Sequence, residues 1–112
     1  MNTIIRTTLL AASLLVPLTM TSAAADAATN YRKKCASCHG KDGSGKTKMG
    51  KKSGARDYRD AKVQASFSDA EGVKAIANGV KKDGKEKMKA YAGKYSDAEM
   101  KALVKYIRAF KK

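Results

Sequence analysis

The 112-residue chain is poor in several residue types. It has one histidine, two cysteines, one proline and no tryptophan, and its 10 acidic residues face 24 lysines and arginines, for a formal charge of +14. One histidine excludes a site built from several imidazoles, and two cysteines allow at most one internal disulfide. The length fits one domain and excludes a barrel enzyme or a doubly wound nucleotide-binding fold. The charge predicts an acidic partner without naming its class.

Long hydrophobic runs are also missing, although the first 25 residues are rich in apolar and small side chains. Arg6 precedes an apolar stretch that is shorter than the roughly 20 residues of a membrane span. Small residues then offer a cleavage site after Ala25, or alternatively after Ala27. We therefore predict a secretory signal peptide over residues 1–25 and a single domain over residues 26–112. Export to the periplasm is expected, with no stable membrane insertion after cleavage.

Two helices are predicted from capping boxes, in which a serine and a glutamate cap each other's backbone groups. Residues 96–99 (Ser-Asp-Ala-Glu) precede a stripe of apolar residues at helical spacing that continues to Phe110. Residues 68–71, with the same four letters, precede a shorter stripe that ends at Asn78 and Gly79.

The remaining segments predict one more helix and two long loops. The first helix would run from about Ala27 to about Cys38. Residues 40–56 are rich in glycine and residues 80–95 in lysine, and neither keeps an apolar period. Because no segment alternates like a strand, the fold class is all-α, with three or more short helices and long loops. So small a domain commonly needs a disulfide, a metal or a bound group to complete its core.

The two cysteines and the histidine lie within five residues. Cys35, Cys38 and His39 form C-x-x-C-H, the attachment signature of c-type haem. Two thiols three positions apart reach the vinyl groups on one edge of the porphyrin and form thioethers, which places the next histidine under the iron as its ligand. A zinc site would need four ligands, and a thioredoxin-like site would need a βαβ unit. The motif therefore predicts one covalent haem c.

The glycine-rich segment that follows matches a second motif. Residues 40–47 fit G-x-x-x-x-G-K-T, the phosphate-binding P-loop pattern. A P-loop follows a strand and opens a helix, whereas this segment follows a helix and has Gly50 and Gly54 where its own helix should run. We interpret the segment as a flexible turn that lets the backbone pass close to the haem.

The sixth iron ligand must come from a residue other than histidine. Met20 leaves with the signal peptide, and Met100 lies on the apolar stripe of the last helix, where it is expected in the core. Met49 lies close to His39 in the chain and would have to cross to the opposite haem face. Met88 lies far along the chain and is followed by two tyrosines that can wall a pocket. Thioether ligands are common in electron-transfer haems, so we favour Met88.

Further matches point to one family. They are Tyr31 one turn before the first cysteine, Gly40 after the C-x-x-C-H run, residues 88–93 (Met-Lys-Ala-Tyr-Ala-Gly), and residues 103–106 (Leu-Val-Lys-Tyr) in the last helix. With them, residues 28–112 resemble the class I c-type cytochromes, particularly the small bacterial monohaem carriers. The resemblance implies a small cytochrome c fold wrapped around one haem, His39 and Met88 as iron ligands, and one-electron transfer.

The chain departs from the family pattern at two places. Lys89 stands where the family usually has proline, which predicts a looser ligand loop. The loop after His39 also lacks the proline whose carbonyl typically accepts a hydrogen bond from the imidazole, so a carbonyl near residues 49–50 is expected to replace it. Such a bond tunes the iron ligand.

The predicted function is that of a soluble electron carrier rather than an enzyme. Five lysines surround Met88 in the sequence: Lys81, Lys82, Lys85, Lys87 and Lys89. They predict a basic field at the haem edge that steers the protein to acidic redox partners, one donating and one accepting electrons. The protein is expected to be a monomer. Export argues against nucleic acid as the partner. The alternative is a haem sensor or weak peroxidase in which Met88 is a labile ligand.

Overall fold

The structure is a computed structural model that describes residues 11–16 and 23–112. Residues 11–16 are exposed and belong to no helix or strand. Most of the predicted signal peptide, residues 1–25, lies outside the described residues. None of the helices in the described part of the chain combines the length and apolar character that a membrane crossing requires.

Short helices make up most of the domain, and one antiparallel hairpin interrupts them. In chain order the elements are α1 (Ala23–Asn30), a π-helical turn (Tyr31–Cys35), α2 (Ala36–His39), α3 (Lys48–Ser53), α4 (Ala61–Ala65), α5 (Asp69–Asn78), β1 (Val80–Lys82), β2 (Lys85–Met88) and α6 (Asp97–Arg108).

The two capping boxes start helices where the sequence predicts them. The Ser68 hydroxyl accepts from the Glu71 N–H before α5, and the Ser96 hydroxyl accepts from the Glu99 N–H before α6. In both boxes the glutamate side chain accepts from the serine N–H in return, so each box satisfies two backbone donors at the helix start. Both predicted helices are confirmed.

The first predicted helix also forms, with a wider turn inside it. α1, the π-helical turn and α2 follow one another without a break. The Ala36 N–H donates to the Tyr31 carbonyl, five residues back, as in a π-helix. This turn lies directly before and at Cys35, so the local change in helical winding occurs where the C-x-x-C-H motif begins.

The core forms where the first and last helices meet. Ala27 is 2% exposed and Tyr31 1%, and both belong to the cluster that includes the apolar stripe of α6. The Tyr31 ring packs against Tyr106 at 4.9 Å and Phe110 at 5.3 Å between ring centroids. Because α5 also packs on α6, the last helix is the central element of the domain.

The prediction of loops over residues 40–56 and 80–95 is wrong in part. Residues 48–53 form α3, which Thr47 caps by accepting from the Gly50 N–H and which Gly54 ends in a left-handed conformation. Residues 80–88 form the β1–β2 hairpin, whose strands have no buried residue. A hairpin with solvent on both faces needs no alternation of apolar and polar residues, which is why the apolar period did not predict it.

Candidate functional site

An open cavity of about 250 Å³ lies beside α5 and α6. Apolar side chains of these helices line it, among them Ile76, Leu103, Val104 and Ile107, and Phe67 adds an aromatic ring. Three of the predicted site residues line the same cavity, namely Cys35, His39 and Met88. They come from two parts of the chain: Cys35 and His39 from the continuous helical segment of the π-helical turn and α2, and Met88 from the end of β2.

Both cysteines are free thiols and half-buried. They lie three residues apart in the helix, which places them on neighbouring positions of one face. Cys35 lines the cavity, whereas Cys38 is not among its lining residues. Burial, followed by the nearby Cys38, raises the pKa of the Cys35 thiol to about 11, so this group is protonated at neutral pH.

The His39 side chain is a neutral imidazole at neutral pH. Burial lowers the pKa of its ring, and the neutral form is the one that ligates iron. The buried Nδ1 atom has no hydrogen-bond partner in the described part of the chain. The bond expected to a carbonyl near residues 49–50 is therefore not formed. Tyr58 instead positions the ring by packing on it, with 5.3 Å between the ring centroids.

The carbonyls at the end of α2 are satisfied by the segment that matches the P-loop pattern. The Gly45 N–H donates to the His39 carbonyl at 2.8 Å, and the Thr47 hydroxyl contacts the carbonyls of Ser37 and Cys38 at 2.7 and 3.0 Å. A helix end leaves such carbonyls without intrahelical partners. Residues 40–47 therefore cap the C-x-x-C-H helix. They follow a helix and not a strand, so the P-loop context is absent.

Tyr31 ties the same turn to the core. Its hydroxyl donates to the Gly40 carbonyl at 2.6 Å, and both residues are buried. α3 holds the other side of the motif, because Gly50 lies against the Cys38 carbonyl so closely that a Cβ there would be 2.1 Å from that oxygen. The Tyr31 hydrogen bond to Gly40 and the close packing of α3 thus fix the backbone on both sides of His39.

Met88 reaches the cavity from the end of the hairpin. It is half-buried and pairs with Val80 across the two strands. Gly79, with φ of +73°, passes close to it: a Cβ on this glycine would be 2.6 Å from the Met88 carbonyl oxygen and 3.0 Å from the Ala90 nitrogen. The absence of a side chain at residue 79 therefore allows the Met88 backbone its position.

The segment after Met88 is bonded to α5 and to the π-helical turn. The N–H groups of Tyr91 and Ala92 donate to the carbonyls of Ile76 and Ala77 at 2.9 and 3.0 Å. The Tyr91 hydroxyl donates to the Lys34 carbonyl at 3.2 Å. These bonds fix residues 91 and 92, two positions after the Lys89 that stands where the family usually has proline.

The other methionines of the described residues lie elsewhere. Met100 is 4% exposed and belongs to the core cluster, as predicted. Met49, on α3, is 57% exposed. Neither lines the cavity, whereas Met88 does.

Sequence reasoning missed several polar and aromatic residues of the cavity. Arg56 lines it, and its guanidinium donates to the Ser66 hydroxyl at 2.9 Å; Ser66 and Tyr58 line it too. Two guanidinium groups lie over the Phe67 ring, with Arg108 4.2 Å and Arg56 5.7 Å from its centroid. The clustering of aromatic and arginine residues over 56–67 is a signal in the sequence, but it does not reveal which side chains face the cavity.

Comparisons with known proteins agree on one family. A family model described as cytochrome c matches residues 24–111. The KustC0563 c-type cytochrome is 36% identical in sequence, and its structure superposes with a TM-score of 0.66 over 77% of this chain and 98% of that one. A tyrosine-to-phenylalanine variant of Kustc0563 is also 36% identical, with a TM-score of 0.67 over 77% and 99% of the two chains. No curated protein sequence matches.

Proposed function

The chain belongs to the cytochrome c family, and on that basis we propose that it is a periplasmic electron carrier with one haem c ligated by His39 and Met88. The family implies covalently bound haem and haem-based electron transfer. One observation carries the finer proposal: Cys35 and His39 from one continuous helical segment and Met88 from the distant hairpin line the same largely apolar cavity.

The side chains at and beside the cavity fit a covalently bound haem. Two thiols offer thioether attachment, a neutral imidazole with its Nδ1 buried offers one iron ligand, and a thioether offers the other. When bound, the haem supplies an iron that accepts and releases one electron. Tyr58 packs on the imidazole, and the Gly45 N–H bonds the His39 carbonyl. Gly79 lets the Met88 backbone lie close to it, and the bond from the Tyr91 N–H to the Ile76 carbonyl fixes the segment that follows.

The surrounding side chains favour a carrier over an enzyme. If His39 and Met88 both ligated the iron, they would leave no position for a substrate, which suits an electron carrier. Ile76, Leu103 and Val104 exclude water from the cavity wall and lower the local dielectric. We propose acidic redox proteins as electron donor and acceptor, because the exposed lysines around Met88 set up a basic field.

Export is part of the proposal, with cleavage after Ala25 rather than after Ala27. Ala27 is 2% exposed and belongs to the core cluster. Cleavage after Ala27 would remove a core residue, whereas cleavage after Ala25 keeps it. The mass of the exported protein distinguishes the two N-termini.

The iron ligands are tested by spectroscopy of the haem-loaded protein. We expect the wild-type ferric protein to be low-spin and to show the weak methionine–iron charge-transfer band. Met88→Ala abolishes this band because it removes the thioether. Met49→Ala, a matched loss of an exposed methionine, leaves it intact.

A different result would favour the sensor or peroxidase function. If wild-type protein is high-spin and binds carbon monoxide readily on reduction, Met88 does not hold the sixth position. If the band persists in Met88→Ala, another residue is the ligand, and the assignment of Met88 is wrong.

A further inference from the structure

Arg108, the last residue of α6, bonds a segment that contributes to the cavity wall; residues 58–67 are called the wall segment below. Its Nη2 donates to the Phe67 carbonyl at 2.7 Å, and its Nη1 donates to the Gln64 carbonyl and, at 2.9 Å, to the Gln64 side-chain oxygen. Its Nε donates to an Asp69 carboxylate oxygen at 2.9 Å. Because these acceptors share one planar guanidinium, they fix the wall segment on α6 more closely than a point-like ammonium group would.

Gln64 connects Arg108 to the start of the wall segment. It is 5% exposed and is the one buried residue of α4. Its Nε2 donates to the Tyr58 carbonyl at 2.7 Å and to the Ile107 carbonyl at 2.9 Å. Its Oε1 accepts from Arg108, so every polar atom of the buried amide is bonded. Hydrogen bonds rather than a buried apolar side chain therefore attach α4 to α6, and a fully bonded buried network of this kind is rigid.

This network reaches the cavity wall, although neither of its two side chains lines the cavity. Tyr58, Phe67 and Ile107 do line it, and each of them gives the network a carbonyl acceptor. The guanidinium also lies over the Phe67 ring, 4.2 Å from its centroid. The Tyr58 ring in turn packs on His39 at 5.3 Å between centroids. The network thus fixes, from outside the cavity, the backbone of the residues that face the imidazole.

We infer that Arg108 is a positioning residue of the haem site. Through Gln64 it keeps Tyr58 packed on His39, and through its own bond it keeps Phe67 in the cavity wall. The inference rests on the proposed function and adds to it a residue outside the cavity. A closely held wall excludes water, and exclusion of water disfavours the oxidised iron, which carries one more positive charge than the reduced iron. A loosened wall therefore lowers the reduction potential.

Three single variants of the haem-loaded protein test this role, and none of them changes the net charge. Arg108→Lys keeps the positive charge and loses the planar fork. Gln64→Met keeps an unbranched side chain of similar length and loses the hydrogen bonds. Arg59→Lys is the control, because Arg59 lies on the wall segment and bonds Asp57 at 3.0 and 2.9 Å, and neither of these two residues lines the cavity.

Each variant is measured by redox titration against a reference couple, by nuclear magnetic resonance of the reduced protein, and by urea unfolding. We expect Arg108→Lys and Gln64→Met to shift the electron-exchange equilibrium constant about threefold or more toward the oxidised protein, which is a lower potential. The nuclear Overhauser effect between the Tyr58 and His39 rings should weaken in both. Arg59→Lys should keep this effect and change the equilibrium constant less than about 1.5-fold.

Two results would overturn the inference and leave the carrier function standing. One is a lower free energy of unfolding in Arg108→Lys and Gln64→Met with an unchanged potential, because the network would then stabilise the fold without positioning the wall. The other is an equal shift of potential in Arg59→Lys. If Arg108→Lys does not fold around the haem, Gln64→Met alone decides between these outcomes. A wild-type protein without a reversible one-electron potential contradicts the proposed function instead.

Discussion

At the scale of single residues, contacts that only a glycine permits determine where the proposed iron ligands lie. Gly79 lets the Met88 backbone pass, and Gly50 lets α3 approach the Cys38 carbonyl. The attachment motif, and His39 within it, could be recognised from the sequence because C-x-x-C-H is a local pattern. The missing partner of His39 Nδ1 could not, since it depends on which carbonyls the folded chain brings near the imidazole.

Gly79→Ala should destabilise the protein and disturb its iron ligation. The new Cβ would be 2.6 Å from the Met88 carbonyl oxygen, at a backbone conformation that alanine disfavours. We expect a loss of about 1–3 kcal/mol in the free energy of unfolding, measured with urea. The methionine–iron band should weaken as Met88 is displaced.

Gly84→Ala is the matched control for this prediction. It has nearly the same φ, +75°, but no atom lies within 4 Å of its added Cβ. It should therefore show the backbone cost alone, about 1 kcal/mol, and keep the band. If both variants lose the band equally, the contact with Met88 is not what holds the ligand.

At the scale of elements, local signals predicted the helices that carry their own caps. α5 and α6 begin at capping boxes and continue as apolar stripes, so their positions could be read from neighbouring residues. α3 and the hairpin expose most of their surface and have no such stripe. Their signals were the Thr47 cap with Gly54 for the helix, and the Asp83-Gly84 turn for the hairpin. Both signals are short and are easily outweighed by nearby glycines and lysines.

Gly50→Ala should reverse the usual effect of alanine in a helix. Alanine normally stabilises a helix relative to glycine by about 1 kcal/mol. Here the Cβ would be 2.1 Å from the Cys38 carbonyl oxygen and 2.6 Å from the Gly45 oxygen, so α3 would have to move away from the motif. We expect a net loss of about 2–3 kcal/mol in urea unfolding.

Gly72→Ala on α5 provides the comparison. Its added Cβ would be 3.1 Å from a Val104 methyl group and 3.2 Å from the Phe67 ring, which are side-chain atoms that can shift. Its effect should stay within about 1 kcal/mol. A stabilising Gly50→Ala would contradict the close packing of α3 on the haem-binding motif.

At the scale of the whole molecule, the fold class was predictable and the cavity was not. The absence of alternation and the presence of helical stripes indicated a helical domain, and one short hairpin is the exception. The cavity forms from α5, α6, the end of α2 and Met88 together. Its lining therefore depends on distances between segments far apart in the chain, which no local pattern contains.

Stability should fall in alkaline solution because buried tyrosines resist ionisation. Burial is the main cause that raises the pKa of Tyr31 far above its ordinary value of 10.0, and it also raises that of Tyr58. Since the unfolded chain loses these protons first, the stabilisation is complete below about pH 10 and is lost as the pH rises further. Urea unfolding between pH 8 and 11 measures the decline, which reaches about 1.4 kcal/mol per pH unit for each such proton.

Tyr31→Phe isolates the contribution of one phenol. The variant loses the hydrogen bond to Gly40, so it starts about 1–3 kcal/mol less stable at neutral pH. Above pH 10 its stability should fall less steeply than that of the wild type. Tyr95→Phe, which removes a half-buried phenol, should change the slope less. Parallel curves for Tyr31→Phe and wild type would contradict the prediction.

The contact between the first and last helices has a consequence for the order of events during biogenesis. Ala27 and Tyr31 have their core neighbours on α6, near the C-terminal end of the chain. Such a long-range contact closes only after its last segment is available. A chain that crosses a translocation pore from its N-terminus therefore cannot complete its core before nearly all of it has emerged. In the export that we propose, Cys35 and Cys38 would belong to an unpacked segment during that interval and would be accessible to the enzymes that attach the haem.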